Sequence, residues 1–177
     1  MDMDKLIEFF IKEPEKEFYV RQIASLLKKS PTTISKYLKD YEAKNILKSE
    51  RKFNHLLFKA NNSEEFKQVK LAYNLDIIKK SGLINYILEE FNNPEAILLF
   101  GSFAKAEDIK SSDIDVLVIS PLKKDINMEK FENKLGHKIQ IFLHSNKEIE
   151  NMKEENKELL NSWINGIVLH GFLEVFK

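Results

Sequence analysis

Cysteine is absent from this chain of 177 residues, and glycine and proline are scarce, with five and four copies. Without cysteine the chain cannot form a disulfide, a zinc site with thiolate ligands or a cysteine nucleophile. The small number of turn-forming residues predicts that most of the chain is regular structure. Hydrophobic residues make up 43% of the sequence, which is enough to bury a core and excludes wholesale disorder.

Long hydrophobic runs are also missing. No run approaches the roughly 18 apolar residues that a membrane-spanning helix needs. The opening of the chain, residues 1–4, is acidic and unlike a signal peptide. We therefore expect a soluble, cytoplasmic protein with no membrane partner.

The net charge is zero, from 28 basic and 28 acidic residues, but the charges are unevenly distributed. Residues 20–60 contain ten Lys or Arg and only three Asp or Glu. Such a local excess suits a polyanionic partner, and a solvated lysine-rich surface explains it equally well. The charge pattern alone leaves both interpretations open.

The first third of the chain predicts three helices followed by a β-hairpin. Ser30-Pro31 interrupts the pattern after the second helix, and Thr32 or Thr33 is a suitable cap for the third. Asn45 tolerates the left-handed conformation that ends a helix. The predicted elements are helices over residues 5–12, 20–29 and 32–44 and strands over residues 46–48 and 56–59.

This order of elements is the layout of a winged helix-turn-helix. The stretch resembles the winged-helix DNA-binding domains of archaeal and bacterial transcription regulators, through VRQIA at residues 20–24 and TISKYL at residues 33–38. The resemblance implies double-stranded DNA as a partner, although such domains also serve as protein-interaction or dimerisation modules. The predicted DNA contacts are Thr32, Thr33, Ser35, Lys36 and Lys39 on the third helix and Arg51 and Lys52 on the hairpin.

The remainder of the chain predicts a mixed domain, so the fold class is α/β (α+β). Asn61-Asn62-Ser63 is the predicted boundary, and after Pro94 the hydrophobic period changes to that of buried strands. A small mixed sheet with flanking helices is therefore expected to follow the helical opening. The predicted elements are helices over residues 64–80, 83–91 and 126–135, strands over 96–100, 115–119 and 138–143, and a mostly helical tail over 147–177.

Two short motifs carry the candidate chemistry. An apolar strand ends in Gly101-Ser102, and Ser112 is followed by two carboxylates, Asp113 and Asp115, at a spacing of two. Alternate residues of an extended segment point the same way, so both carboxylates can converge on one divalent cation. Oxygen ligands without Cys or His favour Mg²⁺ or Mn²⁺ over zinc.

The composite GSFAKAEDIKSSDID over residues 101–115 resembles the signature of the polymerase-β-type nucleotidyltransferase superfamily, particularly its minimal nucleotidyltransferases. The resemblance implies metal-dependent transfer of a nucleoside monophosphate from a nucleoside triphosphate, with ATP the expected donor. It implies nucleotide binding by Gly101, Ser102, Lys105 and Ser112, and catalysis and metal binding by Asp113 and Asp115. The predicted domains are a winged helix over residues 1–61, connecting helices over 62–93 and a nucleotidyltransferase domain over 94–177.

Two positions depart from the family pattern. Ala106 stands where the family usually has glycine, a modest change that is expected only to stiffen the loop. Gln140 stands where the family places a third carboxylate, and a neutral amide cannot act as a base. Glu107 and Asp108 are the nearest substitutes, but both lie in a predicted loop.

Two functional hypotheses therefore remain. In the first, the chain is an enzyme tethered to DNA, and minimal nucleotidyltransferases that resemble it often modify a tyrosine of a HEPN-type RNase toxin. In the second, motivated by Gln140, the chain is a transcription regulator whose nucleotidyltransferase-like domain only binds nucleotide or mediates dimerisation. The apolar helices over residues 64–80 and 83–91 are expected to pack the two domains together or against a second copy, and because regulators of this type are commonly dimers we expect a homodimer.

Overall fold

A computed structural model of the chain describes residues 3–52 and 54–175. Residues 1–2, Phe53 and residues 176–177 lie outside this description, and with them part of the acidic opening, of the polar hairpin stretch and of the predicted helical tail. The chain divides into two compact units between Lys70 and Leu71. The predicted division into residues 1–61, 62–93 and 94–177 concerns functional domains and stays a prediction.

The first unit contains three helices and a three-stranded antiparallel sheet. The sheet has the strand order β1-β3-β2, with Leu47 opposite Ala60 at one end of the β2–β3 hairpin and Lys52 opposite His55 at the other. Its elements, in order, are α1 (Met3–Lys12), β1 (Phe18–Tyr19), α2 (Val20–Leu26), α3 (Pro31–Ala43), β2 (Leu47–Lys52) and β3 (His55–Ala60).

The predicted hairpin and helices of this unit are confirmed, but the predicted cap of α3 is wrong. Ser30 is the cap, and its Oγ accepts a hydrogen bond of 3.1 Å from the backbone N–H of Thr33. Pro31 occupies the first helical position, where its missing N–H costs nothing. Asn45, at φ +60, ends the helix in the left-handed conformation that the sequence predicted.

The second unit is built on a four-stranded mixed sheet with the order β6-β5-β4-β7. Strands β5 and β6 are parallel, and β4 is antiparallel to both β5 and β7. Helix α4 (Glu64–Ser81) contains the division between the units. The other elements are α5 (Leu83–Glu90), β4 (Ala96–Phe100), α6 (Gly101–Ala104), β5 (Ile114–Ile119), α7 (Glu129–Leu135), β6 (Ile139–His144), α8 (Asn146–Glu155), α9 (Lys157–Ile164) and β7 (Ile167–Gly171).

The sheet of the second unit buries both of its faces, which makes β4 and β5 nearly continuous apolar runs. Ile97 and Leu99 face a core shared with α5 and α7. Leu98 and Phe100 face the opposite core, where Trp163 of α9 is fully buried. Strand β5 alternates in the same way, so Asp115 projects on the face that carries Phe100 and Trp163.

The predicted helical tail is wrong at its end, because residues 167–171 form strand β7. Ile167 and Val168 were expected on the apolar stripe of a helix, but they pair with Leu99 and Leu98 of β4. Gly166 permits this pairing, since a Cβ there would lie 2.7 Å from the carbonyl oxygen of Leu99. The helix predicted over residues 126–135 is also shorter than expected and begins at Glu129.

Among the residues that the structure describes, no helix combines the length and the apolar character that crossing a bilayer requires.

Candidate functional site

The two motifs of the second unit meet where β4 ends. Phe100, the last residue of β4, lies opposite Asp115 of β5 in the antiparallel register. Gly101 follows at φ +69, and a Cβ at this position would lie only 2.2 Å from Oδ2 of Asp115. Glycine is therefore required twice here, for the backbone conformation and for the close approach of the carboxylate. The Gly101-Ser102 turn and the Asp115 side chain form one site.

Asp113 and Asp115 are electrostatically coupled. Asp113 is exposed in the turn before β5, and Asp115 is half-buried within the strand. Burial raises the pKa of the Asp115 carboxyl, and the neighbouring Asp113 charge raises it further. Two like charges held together at a partly desolvated position favour a cation between them. The pair fits Mg²⁺, which proteins commonly bind through one or two carboxylates together with substrate phosphates.

Gln140 lies beside this pair. In the parallel register of β5 and β6 it is the partner of Asp115, so the two side chains share one face of the sheet. Gln140 is exposed, at an edge strand. The position that the resemblance assigned to a third carboxylate thus carries a neutral amide on the same face as Asp115, with no charge and no proton-accepting group.

Of the two carboxylates that follow Ala106, one is buried and already hydrogen-bonded and the other is exposed. Asp108 is buried, and its Oδ1 accepts a hydrogen bond of 2.7 Å from Nδ2 of Asn74 in α4. Glu107 is exposed, and its backbone N–H is bound at 2.9 Å by the carbonyl oxygen of Ser102. Within the described parts of the chain, no group of three His, Asp or Glu side chains is arranged to hold a metal ion.

The remaining predicted nucleotide-binding residues shape the same connection between β4 and β5. The carbonyl oxygen of Ser102 also accepts from the backbone N–H of Lys105, which closes the turn. Lys105 is exposed. The hydroxyl of Ser112 accepts a hydrogen bond of 2.9 Å from the backbone N–H of Ile109, so this hydroxyl stabilises the loop before Asp113.

Ala106 is buried in this connection at φ +55. The sequence predicted only a modest stiffening of the loop from the absence of glycine. The backbone here adopts the left-handed conformation, which costs an L-residue with a Cβ roughly 1–2 kcal/mol. The alanine therefore carries a conformational strain that glycine would not have.

Two residues that support the site were missed by the sequence reasoning. Asn74 is almost fully buried in α4, and its Nδ2 also donates to the carbonyl oxygen of Phe103 at 3.2 Å. His137, just before β6, donates from Nδ1 to the carbonyl oxygen of Ser112 at 2.8 Å. Both contacts join segments that are distant along the chain, and no local pattern marks them.

The first unit has an open, basic cleft of about 610 Å³. Four of the seven predicted DNA contacts meet there with Arg21, which the sequence reasoning had not selected. The cleft is lined by Val20, Arg21, Pro31, Thr32, Ser35, Lys36 and Lys39.

The other three predicted DNA contacts are not among the residues that line this cleft. Thr33 is engaged in the cap of α3, with its hydroxyl 2.7 Å from that of Ser30. Lys52 pairs with Glu17 at 2.7 Å, and this hydrogen bond raises the pKa of the Lys52 ammonium group. Arg51 is exposed on the hairpin.

Comparison with known protein families gives a match over the part of the chain that contains the candidate site. A family profile described as Polymerase beta, Nucleotidyltransferase matches residues 83–171, which is half of the chain. The matched range begins with α5 and ends with β7, so it includes both motifs and Gln140. No curated protein sequence matches the chain.

Proposed function

Because the chain belongs to the Polymerase beta nucleotidyltransferase family, we propose that its second unit transfers a nucleoside monophosphate from a nucleoside triphosphate, with ATP the preferred donor, to a protein or nucleic-acid acceptor. The observation that carries this proposal is the contact of Asp115 with the Gly101 turn. A triphosphate on that turn lies next to the carboxylate pair, which is the arrangement that nucleotidyl transfer requires.

The residues of the site divide the chemistry between them. Gly101 and Ser102 bind the triphosphate, and exposed Lys105 adds a positive charge to the turn. Asp113 and Asp115 hold a divalent cation, Mg²⁺ or Mn²⁺, which neutralises charge on the phosphates when bound. An acceptor hydroxyl forms a bond to the α-phosphorus as the bond to the bridging oxygen breaks, and pyrophosphate leaves. With Gln140 beside Asp115, the acceptor's proton passes to water instead of to a third carboxylate.

The proposal is tested by incubating the full chain with α-³²P-labelled ATP, GTP, CTP or UTP and Mg²⁺ or Mn²⁺, alone and with cell lysate. We expect label on a protein or RNA acceptor, and its loss in Asp113→Ala. Asp125→Ala is the matched control, because Asp125 is an exposed aspartate outside both motifs. Label transfer that survives the change at Asp113 would contradict the assignment.

A second candidate function is favoured by Gln140. In this version the second unit binds nucleotide with Mg²⁺ but does not turn it over, and nucleotide binding alters the affinity of the first unit for DNA. Tight binding of Mg²⁺·ATP without label transfer, accompanied by a nucleotide-dependent change in DNA affinity, distinguishes this regulator from the enzyme.

We also propose that the first unit is a winged helix that binds double-stranded DNA. Its order of elements and the basic cleft between α2 and α3 support this. A helix-turn-helix protein presents its second helix to the major groove, and here that helix is α3, with Lys36 and Lys39 in the cleft. A protein-interaction module is the alternative, and it predicts no binding to DNA at moderate salt.

Two partners remain proposals. A HEPN-type RNase toxin is the proposed protein acceptor, to be tested as the purified substrate in the labelling experiment. A homodimer is the proposed assembly, and a light-scattering mass of one chain at micromolar concentration would refute it. Helices α4 and α5 contribute none of the exposed large hydrophobic side chains of the described residues, whereas Ile164, Val168 and Phe172 are exposed around β7.

A further inference from the structure

His137 is half-buried between the two motifs of the candidate active site. Its ring and the Phe103 ring form a T-shaped pair, with 4.8 Å between the ring centroids and planes inclined at 82°. Its Nδ1 donates a hydrogen bond of 2.8 Å to the carbonyl oxygen of Ser112. This bond requires a proton on Nδ1, since a carbonyl oxygen can only accept.

The two residues that His137 contacts, Phe103 and Ser112, each adjoin one of the two motifs. Phe103 directly follows Ser102, and its side chain is almost fully buried. The buried ring therefore anchors the Gly101-Ser102 turn, on which the triphosphate is proposed to bind. Asn74 holds the carbonyl oxygen of the same Phe103 from α4. Ser112 directly precedes Asp113, so the hydrogen bond from His137 restrains the backbone that presents this carboxylate.

We propose that His137 is a positioning residue that sets the spacing between the triphosphate turn at Gly101-Ser102 and the carboxylate of Asp113. The inference rests on the proposed function. A metal-bound triphosphate must be held by both turns at once, so its binding gains from a fixed separation between them. A triphosphate without metal is held by the first turn alone and gains nothing from the restraint.

Two substitutions separate the restraint from simple packing. His137→Phe keeps an aromatic ring against Phe103 and removes the donor to Ser112. His137→Asn keeps a donor on the atom next to Cγ, as Nδ1 is in histidine, and removes the ring. If His137 only fills space, His137→Phe is the milder change. If it positions Asp113, His137→Asn is the milder change.

The experiment measures the dissociation constant of ATP from the full chain by titration calorimetry, once with excess Mg²⁺ and once with EDTA. The ratio of the dissociation constant in EDTA to that in Mg²⁺ reports how much the metal adds to the affinity for ATP. We expect His137→Phe to lower this ratio roughly fivefold, the value of about one net hydrogen bond. Metal-free ATP affinity should be unchanged in His137→Phe, and His137→Asn should restore most of the ratio.

Ser162→Ala is the matched control, because it removes a single hydrogen bond, from Ser162 Oγ to the carbonyl oxygen of Leu159, within α9 and outside both turns. Thermal melting of all variants shows whether they are folded. An unchanged ratio in His137→Phe, an equal fall in Ser162→Ala, or no rescue by His137→Asn would overturn the inference alone. A wild-type chain that binds no ATP with Mg²⁺ would overturn the proposed function and this inference with it.

Discussion

Backbone conformation is the main constraint on single residues in the connection between β4 and β5. Gly101 and Ala106 both have positive φ, at +69° and +55°. Gly101 adopts this conformation without strain because it has no Cβ. The Asp115 carboxylate also occupies the space where a Cβ of residue 101 would lie. Ala106 has a Cβ in a conformation that disfavours one, so the two positions respond to substitution in opposite directions.

Replacing Ala106 with glycine is expected to stabilise the chain. Relief of the left-handed strain contributes roughly 1–2 kcal/mol, and the greater freedom of glycine in the unfolded chain offsets about 0.4–1 kcal/mol of this. A net gain of up to about 1.6 kcal/mol in the free energy of unfolding should appear in urea denaturation. Gly82→Ala is the inverse control, because Gly82 has φ +85 and the space that a Cβ would occupy is open. This control should lose stability, and a loss in Ala106→Gly would contradict the argument.

Gln140 is the position where one side chain separates the two candidate functions. Gln140→Glu places a third carboxylate beside Asp115 without changing side-chain length. We expect tighter Mg²⁺-dependent ATP binding and, because a general base typically contributes about 10²–10⁴-fold, a large rise in label transfer. Asn133→Asp adds the same charge at an exposed position elsewhere in the unit and controls for net charge. If Gln140→Glu changes neither quantity, residue 140 does not face the reaction.

The sequence predicted Gly101, Asp113 and Asp115 because their roles depend on local spacing within one segment. It did not predict the supports of that segment. Asn74 is separated by 29 residues from Phe103 and by 34 from Asp108, and His137 by 25 from Ser112. Such pairs form only when the sheet brings distant segments together, so no sequence window contains both partners.

At the scale of elements, α3 is the helix on which DNA binding is expected to depend. The double change Lys36→Gln and Lys39→Gln should weaken binding to duplex DNA of any sequence, since lysines contribute phosphate contacts. The slope of log K against log salt concentration should become shallower by about two, one for each lost contact. Fluorescence anisotropy at several NaCl concentrations measures both effects.

Lys44→Gln is the control for this experiment. Lys44 lies at the C-terminal end of α3, outside the cleft, and pairs with Asp40 at 2.8 Å. A slope that falls as much for Lys44→Gln as for the double variant would mean that the cleft does not bind DNA.

The start of α8 makes stability depend on pH. Ser145 and Glu148 form a capping box, and Lys123 donates a hydrogen bond to the same Glu148 carboxylate. These bonds, first that from Lys123, lower the pKa of Glu148 from 4.5 to about 2. A lowered folded-state pKa means that this stabilisation is complete above the unfolded-state pKa. It should be lost as the pH falls from about 4.5 to about 2.

Glu148→Gln should remove this part of the pH dependence. The difference in unfolding free energy between wild type and Glu148→Gln is expected to shrink as the pH falls through that window. Chemical denaturation at a series of pH values measures it. Because the carboxylate is partly exposed, raised salt should reduce the effect, and a difference that stays constant with pH would contradict the assignment to this carboxylate.

Two strands show where sequence patterns cannot identify an element. Strand β1 has only two residues, too few to display an alternation. Strand β7 follows α9 after a short break, and its apolar residues continue the apolar pattern of that helix. What makes residues 167–171 a strand is the open edge of β4, a tertiary partner that lies about 70 residues earlier in the sequence.

At the scale of the whole molecule, each unit has a hydrophobic core of its own. Phe10, Phe18 and Phe58 are fully buried in the first unit, and Trp163 and Phe103 in the second. Separate cores predict that the two units respond separately to ligands. The basic excess over residues 20–60 lies entirely within the first unit.

Calorimetry of the full chain should therefore show two unfolding transitions. Saturating Mg²⁺·ATP is expected to raise only the transition temperature of the second unit. At a concentration one hundred times the dissociation constant, its free energy of unfolding should rise by about 2.7 kcal/mol. Duplex DNA should raise only the other transition. The Asp113→Ala variant identifies the nucleotide-dependent transition, because its midpoint should no longer move with Mg²⁺·ATP. A single transition, or equal shifts of both, would contradict the independence of the cores.

The contact of Asp115 with Gly101 has a consequence for how this chemistry is inherited. Every proposed ligand of the triphosphate and of the metal lies between Gly101 and Asp115, whereas Gln140 and the supporting residues Asn74 and His137 lie outside this segment. The proposed ligands therefore occupy one continuous segment of the chain. A short exchange within fifteen consecutive residues can silence the site or replace it while strands β4 and β5 remain intact. The fold can therefore be retained after the activity is lost, and the same fold can serve a catalyst and a sensor.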